Sequence, residues 1–182
     1  MISANFPTEA AAVGRLLTSY SDLEIDLLHC VQMATGDFDG ALKAMFGSRG
    51  ESVRITKGAA LGRPVYVTLA LEADFDTAVD AMRHCLLIRN QYAHHTFWDD
   101  NTGTLAIGDL ERVARLPDQQ TDLRGVIPNY VTVALLQEQE AYFRFADGLL
   151  GWVNFEGRFK RGLLNNNMVP KPSPRPKPAL HL

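Results

Sequence analysis

Three long stretches of this sequence repeat apolar residues every three or four positions, which is the spacing of one face of an α-helix. They run from Thr8 to about Ala34, from Asp74 to about Ala93 and from Tyr130 to about Phe159. Thr8 and Asp74 are predicted helix caps, and Gly36 is a predicted stop for the first helix. The pattern predicts a chain that folds mainly as helices packed through their apolar faces.

Shorter segments complete the predicted fold. One helical stretch runs from about Phe38 to Phe46, and another from about Ser52 to Leu61. The second is predicted to end before Gly62-Arg63-Pro64, because glycine and proline disfavour a helix interior. Residues 65–69 are β-prone but have no clear partner, so we predict an irregular or extended segment there.

A small β-hairpin is predicted directly after the second long helix. Two β-prone runs between Thr96 and Ile107 flank a turn rich in Asp, Asn and Gly. A polar connection with Pro117 and Pro128 then leads to the last helix. The predicted fold class is all-α, an antiparallel bundle of four to five helices with this one hairpin.

The sequence changes character after Leu164. Proline occupies every second position from Pro170 to Pro178, and this alternation favours an extended, solvated chain that adds nothing to a core. We therefore predict a helical domain over residues 1–164 and a disordered, Pro-rich tail over 165–182. An SH3-type docking peptide is the alternative role, although no two prolines in the tail are three positions apart.

The net charge of the chain limits the kinds of partner that it can bind. The net charge of the 182 residues is −3, and the last eighteen carry three basic residues and no acid. The remaining 164 residues therefore carry a net charge of −6, which argues against broad electrostatic binding of nucleic acid and leaves room for a small local site.

The sequence also predicts a cytoplasmic protein. No secretory signal precedes the first helix, and no apolar segment approaches the length that spans a bilayer. The two cysteines, Cys30 and Cys85, both fall in apolar helical runs, as expected of buried free thiols in a reducing compartment.

A dense polar cluster, Arg89-Asn90-Gln91-Tyr92-Ala93-His94-His95, ends the second long helix. Arg89 follows Leu86 by three residues and therefore shares the apolar face, where an unpaired guanidinium is costly. Glu24 on the first helix is its best internal partner. A structural Arg89–Glu24 ion pair is one interpretation, and it does not exclude a functional role for Arg89.

The spacing within this cluster sets a geometric problem. Asn90 and His94 are four residues apart and share a face, whereas Arg89 and His94 are about 140° apart around an ideal helix. For Arg89 and His94 to act on one atom, either the helix breaks near residues 92–94 or a two-fold dimer brings the arginine of one chain to the histidine of the other.

Arg89-Asn90-x3-His94 resembles the Arg-polar-x3-His signature of the HEPN superfamily of small all-helical proteins. Many members are metal-independent endoribonucleases or toxin and defence components, and their dimers bring two motifs face to face. The context, over residues 9 to 160, is similar to that of a bacterial HEPN-like subgroup, with an acid (Glu24) in the first helix and Phe97-Trp98 and a hairpin after the motif. His95 departs from the subgroup, which has a small residue there, so either histidine is a candidate for the reacting one.

The resemblance implies roles that suit the residue types. Arg89 would bind the scissile phosphate with its fork of donors, and His94 would act as general acid or base near neutral pH. Asn90 and His95 would assist, with Glu24 in support. The expected partners are a second copy of the chain, RNA or a nucleotide, and an antitoxin or other protein. No cofactor, metal or membrane is expected.

Three hypotheses stay open from the sequence, and the first of them is the HEPN-like ribonuclease. A metal site is disfavoured, because His29-Cys30, His84-Cys85 and His94-His95 lack Cys-x2-Cys or His-x3-His spacing. A non-catalytic HEPN-like dimer that binds nucleotide, RNA or protein fits the same motif. A plain helical interaction protein, with the motif residues in structural roles, is the third.

Overall fold

Helices form most of the chain, with one small antiparallel sheet. The fold comes from a computed structural model, which describes residues 2–115 and 126–182. The helices in these residues are α1 (Ile2–Asn5), α2 (Pro7–Thr35), α3 (Phe38–Phe46), α4 (Glu51–Thr68), α5 (Glu72–His94), α6 (Leu110–Ala114) and α7 (Val133–Lys160). The strands are β1 (Thr96–Asp99), β2 (Leu105–Gly108) and β3 (Asn129–Val131). The predicted mainly helical class is confirmed, while Pro117 of the predicted connection lies outside the described residues.

Helix ends follow the predicted signals only in part. Gly36 ends α2 in the left-handed conformation, with φ of 72°, which a residue without Cβ adopts at little cost. The prediction of Thr8 as a cap was wrong, because α2 begins at Pro7, whose missing N–H is not needed in a first turn. Asp74 is likewise not a cap. The helix α5 begins two residues earlier, at Glu72.

The prediction that α4 ends before Gly62-Arg63-Pro64 and that residues 65–69 are irregular was wrong. The helix continues through Pro64 to Thr68. Tyr66, fully buried, stacks on Phe75 of α5 with ring centroids 4.3 Å apart. A Cβ on Gly62 would lie 2.9 Å from Cζ of Phe75. The absence of a side chain at Gly62 therefore leaves room for that ring. Packing against α5 therefore outweighs the local cost of glycine and proline.

The predicted hairpin is present, and it belongs to a larger sheet. Strands β1 and β2 pair antiparallel, with Thr96 opposite Gly108. Strand β3, which was not predicted, pairs antiparallel with the other side of β2, with Leu105 opposite Val131. The last helix therefore begins at Val133 rather than at Tyr130.

The core lies mainly between α2, α4, α5 and α7. Helix α2 packs against each of the other three, and α5 packs against both α4 and α7. Cys30 and Cys85 are free, fully buried thiols, and burial raises the pKa of Cys30 to about 12. Over the described ranges, no helix combines the length and apolar character needed to cross a membrane.

The Pro-rich tail lies along the groove between α5 and α7. Lys171 pairs with Asp74 at 2.6 Å near the start of α5, and Lys177 pairs with Asp80 at 2.7 Å. The last residue, Leu182, exchanges two backbone hydrogen bonds with Tyr130 of β3. The tail is extended, as alternating proline predicts, and in the structure it contacts the body at these positions. Its disorder stays a prediction. The boundary at residue 164 between domain and tail stays a prediction.

Two acidic side chains meet between α2 and α7. The pKa of Asp26 is raised to about 7. Burial is the larger cause, and a hydrogen bond with Asp147 is the second. The protonated form of Asp26 is thus favoured in the folded state, whereas an unfolded aspartate titrates at about 3.9. This proton stabilises the folded state fully at a pH below the pKa of the unfolded aspartate, and the stabilisation is lost as the pH rises through 7.

We expect the free energy of unfolding to fall between pH 5 and pH 8, with Asp26 contributing about 1 to 2 kcal/mol after allowance for partial solvent screening. Asp26→Asn keeps the hydrogen-bonding shape without the charge, so this contribution to the fall should vanish. Urea unfolding at both pH values measures the difference. Glu138→Gln, at an exposed position of α7, is the control, and equal pH dependence in Asp26→Asn and wild type would contradict the expectation.

Candidate functional site

The end of α5 brings three of the predicted site residues to one cavity. Asn90, His94 and His95 line a space of about 350 Å³. The helix runs without interruption through His94, and His95 has an extended backbone. The alternative of a helix break near residues 92–94 is therefore wrong.

Arg89 lies on a neighbouring face and is not part of the lining of this cavity. Its guanidinium donates a hydrogen bond of 3.0 Å to Oδ1 of Asn90 and lies 3.4 Å from Oε1 of Glu51. Asn90 thus contacts Arg89 and also faces the space shared with His94. Within one chain the guanidinium is thus outside the cavity that the His94 imidazole lines.

The predicted Arg89–Glu24 pair was wrong. Glu24 accepts hydrogen bonds of 2.9 and 3.3 Å from Nη1 of Arg54, and it is nearly buried. Helix α4 causes this exchange of partners, because it carries both Arg54, which reaches α2, and Glu51, which reaches α5. Glu24 therefore neutralises a cation of α4 and fixes that helix to α2, instead of supporting Arg89 directly.

The two adjacent histidines differ in environment. His94 is exposed, whereas His95 is half-buried and its Nδ1 finds no hydrogen-bond partner in the described part of the chain. Burial lowers the pKa of His95, and the nearby charges of His181, Arg112 and His94 add to the effect against the opposing carboxylate of Asp109. His95 is thus held neutral at pH 7, and His94 is the ring more open to a ligand.

Two tail residues of this cavity were not among the predicted site residues. Leu180 and His181 of the tail line it beside His94. They are held by Gln91 and by Gln139 of α7, two buried side chains. A signal existed in the sequence: Gln139 lies three residues from both Leu136 and Tyr142, so a polar group occupies the apolar face and requires partners.

The remaining histidine–cysteine pairs do not assemble into a site. Nε2 of His84 lies 2.9 Å from the carbonyl oxygen of Pro178, to which it must donate. In residues 2–115 and 126–182, no group of three or more His, Cys, Asp and Glu is arranged to hold a metal ion.

The candidate site is therefore the cavity at the end of α5, joined to Arg89 through Asn90. Its chemistry is that of an accessible imidazole, a neutral imidazole and an amide, with a guanidinium one residue away. An imidazole can serve as a proton donor or acceptor, and the amide and guanidinium can donate hydrogen bonds to an anion. Comparison of the sequence with models of protein families, with curated proteins and with solved structures finds no match.

Proposed function

We propose that the protein is a HEPN-like homodimer, built as an antiparallel helical bundle, that cleaves RNA without a metal ion as a toxin or defence component. The observation that carries the proposal is the cavity at the end of α5, where Asn90 and His94 lie together and Asn90 also contacts Arg89. The sequence resemblance of Arg89-Asn90-x3-His94 to the HEPN signature points to the same reaction.

The proposed reaction is transesterification at a phosphodiester. The ribose 2′-oxygen forms a bond to phosphorus, the bond from phosphorus to the 5′-oxygen breaks, and the products are a 2′,3′-cyclic phosphate and a 5′-hydroxyl. One group must accept the 2′-hydroxyl proton and another must give a proton to the 5′-oxygen, and His94 serves as a general acid–base group. Arg89 binds the non-bridging oxygens, whose charge grows in the transition state.

Dimerisation supplies the geometry that one chain lacks. Because Arg89 and His94 face different directions from an unbroken α5, the proposal places the guanidinium of one chain beside the imidazole of the other. Leu87, which lines the cavity and is 54% exposed, offers apolar surface for such a contact. A two-fold arrangement makes each interface contact twice and yields two equivalent clefts.

His94→Ala is expected to lower the rate of cleavage of single-stranded RNA in the presence of a chelator by at least about 100-fold, since the variant lacks the titratable group. His29→Ala, which changes a histidine of α2 away from the cavity, is the control and should retain the wild-type rate. Gel electrophoresis of end-labelled RNA measures both, and light scattering gives the mass of the particle. Equal rates for wild type and His94→Ala would overturn the proposal.

A second candidate is a non-catalytic dimer that binds nucleotide, RNA or a partner protein such as an antitoxin. The observation that favours it is negative charge around the motif: Glu51 faces Arg89, and Asp109 and Glu111 line the cavity. These carboxylates oppose a polyanion and suit a small or basic ligand. Saturable binding of a nucleotide or protein without RNA cleavage would select this candidate over the first.

A further inference from the structure

The cavity at the end of α5 contains a third histidine, contributed by the tail. His181 is exposed and lines the same space as Asn90, His94 and His95. It lies ninety residues from Gln91 in sequence, and its position depends entirely on how the tail is held. The contacts that hold it are specific enough to define which ring nitrogen carries a proton.

Gln91, which is 5% exposed, fixes the His181 ring. Its Nε2 donates a hydrogen bond of 2.7 Å to the carbonyl oxygen of Leu180, which can only accept. The amide oxygen of Gln91 therefore faces Nδ1 of His181, at 3.2 Å. Since that oxygen also only accepts, Nδ1 of His181 carries the proton, and in the neutral ring Nε2 is left as a basic nitrogen.

The tail backbone is held on both sides of His181. Gln139, fully buried, donates hydrogen bonds of 2.8 and 3.0 Å to the carbonyl oxygens of Ala179 and Leu180. Leu182 pairs with Tyr130 through two backbone hydrogen bonds. His181 is thus a solvent-exposed ring on a firmly held backbone, which is an arrangement suited to chemistry rather than to packing.

We infer that His181 is a further catalytic residue, the base that accepts the 2′-hydroxyl proton, while His94 gives a proton to the departing 5′-oxygen. The inference rests on the proposed function, because it assigns the two proton transfers of that reaction to two rings that share a cavity. After cleavage His181 carries the proton and His94 has lost one, and exchange with water restores both. Among the described residues, the other titratable or charged groups near this space are the neutral ring of His95 from α5, and Asp109, Glu111 and Arg112 from the segment after β2.

The test combines pH–rate profiles with a chemical rescue. In wild type the rate of RNA cleavage should rise and then fall with pH, because the reaction needs one ring without its proton and the other ring with it. His181→Ala should cleave at least about 100-fold more slowly and lose one side of this profile, and added imidazole should restore part of the rate. A purely structural role for His181 would show no rescue by imidazole and an unchanged profile. His29→Ala is the matched control.

A second measurement separates this inference from the proposed function. Ring ¹⁵N resonances should report His181 with a protonated Nδ1, and uridine 3′-monophosphate should shift the resonances of both His94 and His181. Wild-type cleavage together with full activity of His181→Ala would overturn the role of His181 alone, as would resonances that move for His94 and not for His181. A wild-type protein that cleaves no RNA would overturn the catalytic role of both rings.

Discussion

Phe75→Ala is expected to lower the free energy of unfolding by about 3 to 5 kcal/mol, the range for removal of a buried phenylalanine. Phe75 is fully buried at the start of α5 and stacks on Tyr66, with an angle of 13° between the rings. The truncation leaves a cavity and removes the stacking contact, which adds about 0.5 to 1.5 kcal/mol to ordinary burial. Urea unfolding followed by circular dichroism measures the loss.

The same site gives a sharper test through Gly62. In wild type, Gly62→Ala should destabilise the protein, since its Cβ would lie 2.9 Å from the Phe75 ring. In the Phe75→Ala background that clash is gone, and Gly62→Ala should stabilise the protein by about 1 kcal/mol through helix propensity. The same sign in both backgrounds would contradict the packing described here. Phe155→Ala, at a position 38% exposed on α7, is the control for a phenylalanine outside the core.

Gln139→Leu is expected to release the end of the tail and to cost about 2 to 4 kcal/mol of stability, because the buried hydroxyl of Tyr92 loses its partner and the tail loses two hydrogen bonds at once. Oε1 of Gln139 accepts a hydrogen bond of 2.6 Å from the hydroxyl of Tyr92, and Nε2 donates to the carbonyl oxygens of Ala179 and Leu180. Leucine has a similar size but replaces none of these bonds.

Hydrogen exchange locates the effect of Gln139→Leu. The amides of Leu182 and Tyr130, which bond to each other's carbonyl oxygens, should exchange faster in the variant, while amides in the middle of α2 change only with global stability. Gln137→Leu makes the same substitution at an exposed position of α7 and should leave both amides protected. Unchanged exchange at Leu182 in Gln139→Leu would show that the tail is held by other contacts.

The sequence pattern predicts a helix well where the apolar residues that face the core recur at regular spacing. Helix α2 is predicted almost to its ends, because its apolar repeat and Gly36 are local signals. Helix α4 is not, because Gly62 and Pro64 are local breakers and their cost is offset only by the contact between Tyr66 and Phe75. Strand β3 was missed for the same reason. Its three residues form a strand only because β2 lies beside them.

The candidate site likewise has features that the sequence predicts and features that depend on tertiary packing. Asn90 and His94 share a face because of their four-residue spacing, which helix geometry requires and the cavity confirms. The ion-pair partners of Glu24 and Arg89 were not predictable, because Arg54 and Glu51 reach them only when α4 packs against both α2 and α5.

The order of residues was therefore enough to determine a mainly helical chain, the hairpin after α5 and the shared face of Asn90 and His94, since each depends on neighbours within a few positions. The tertiary structure alone decided that Arg89 pairs with Glu51, that the proline-rich tail lies between α5 and α7, and that His181 enters the cavity. Those outcomes depend on groups tens of residues apart, whose pairing is chosen by burial and hydrogen bonding once the helices have packed.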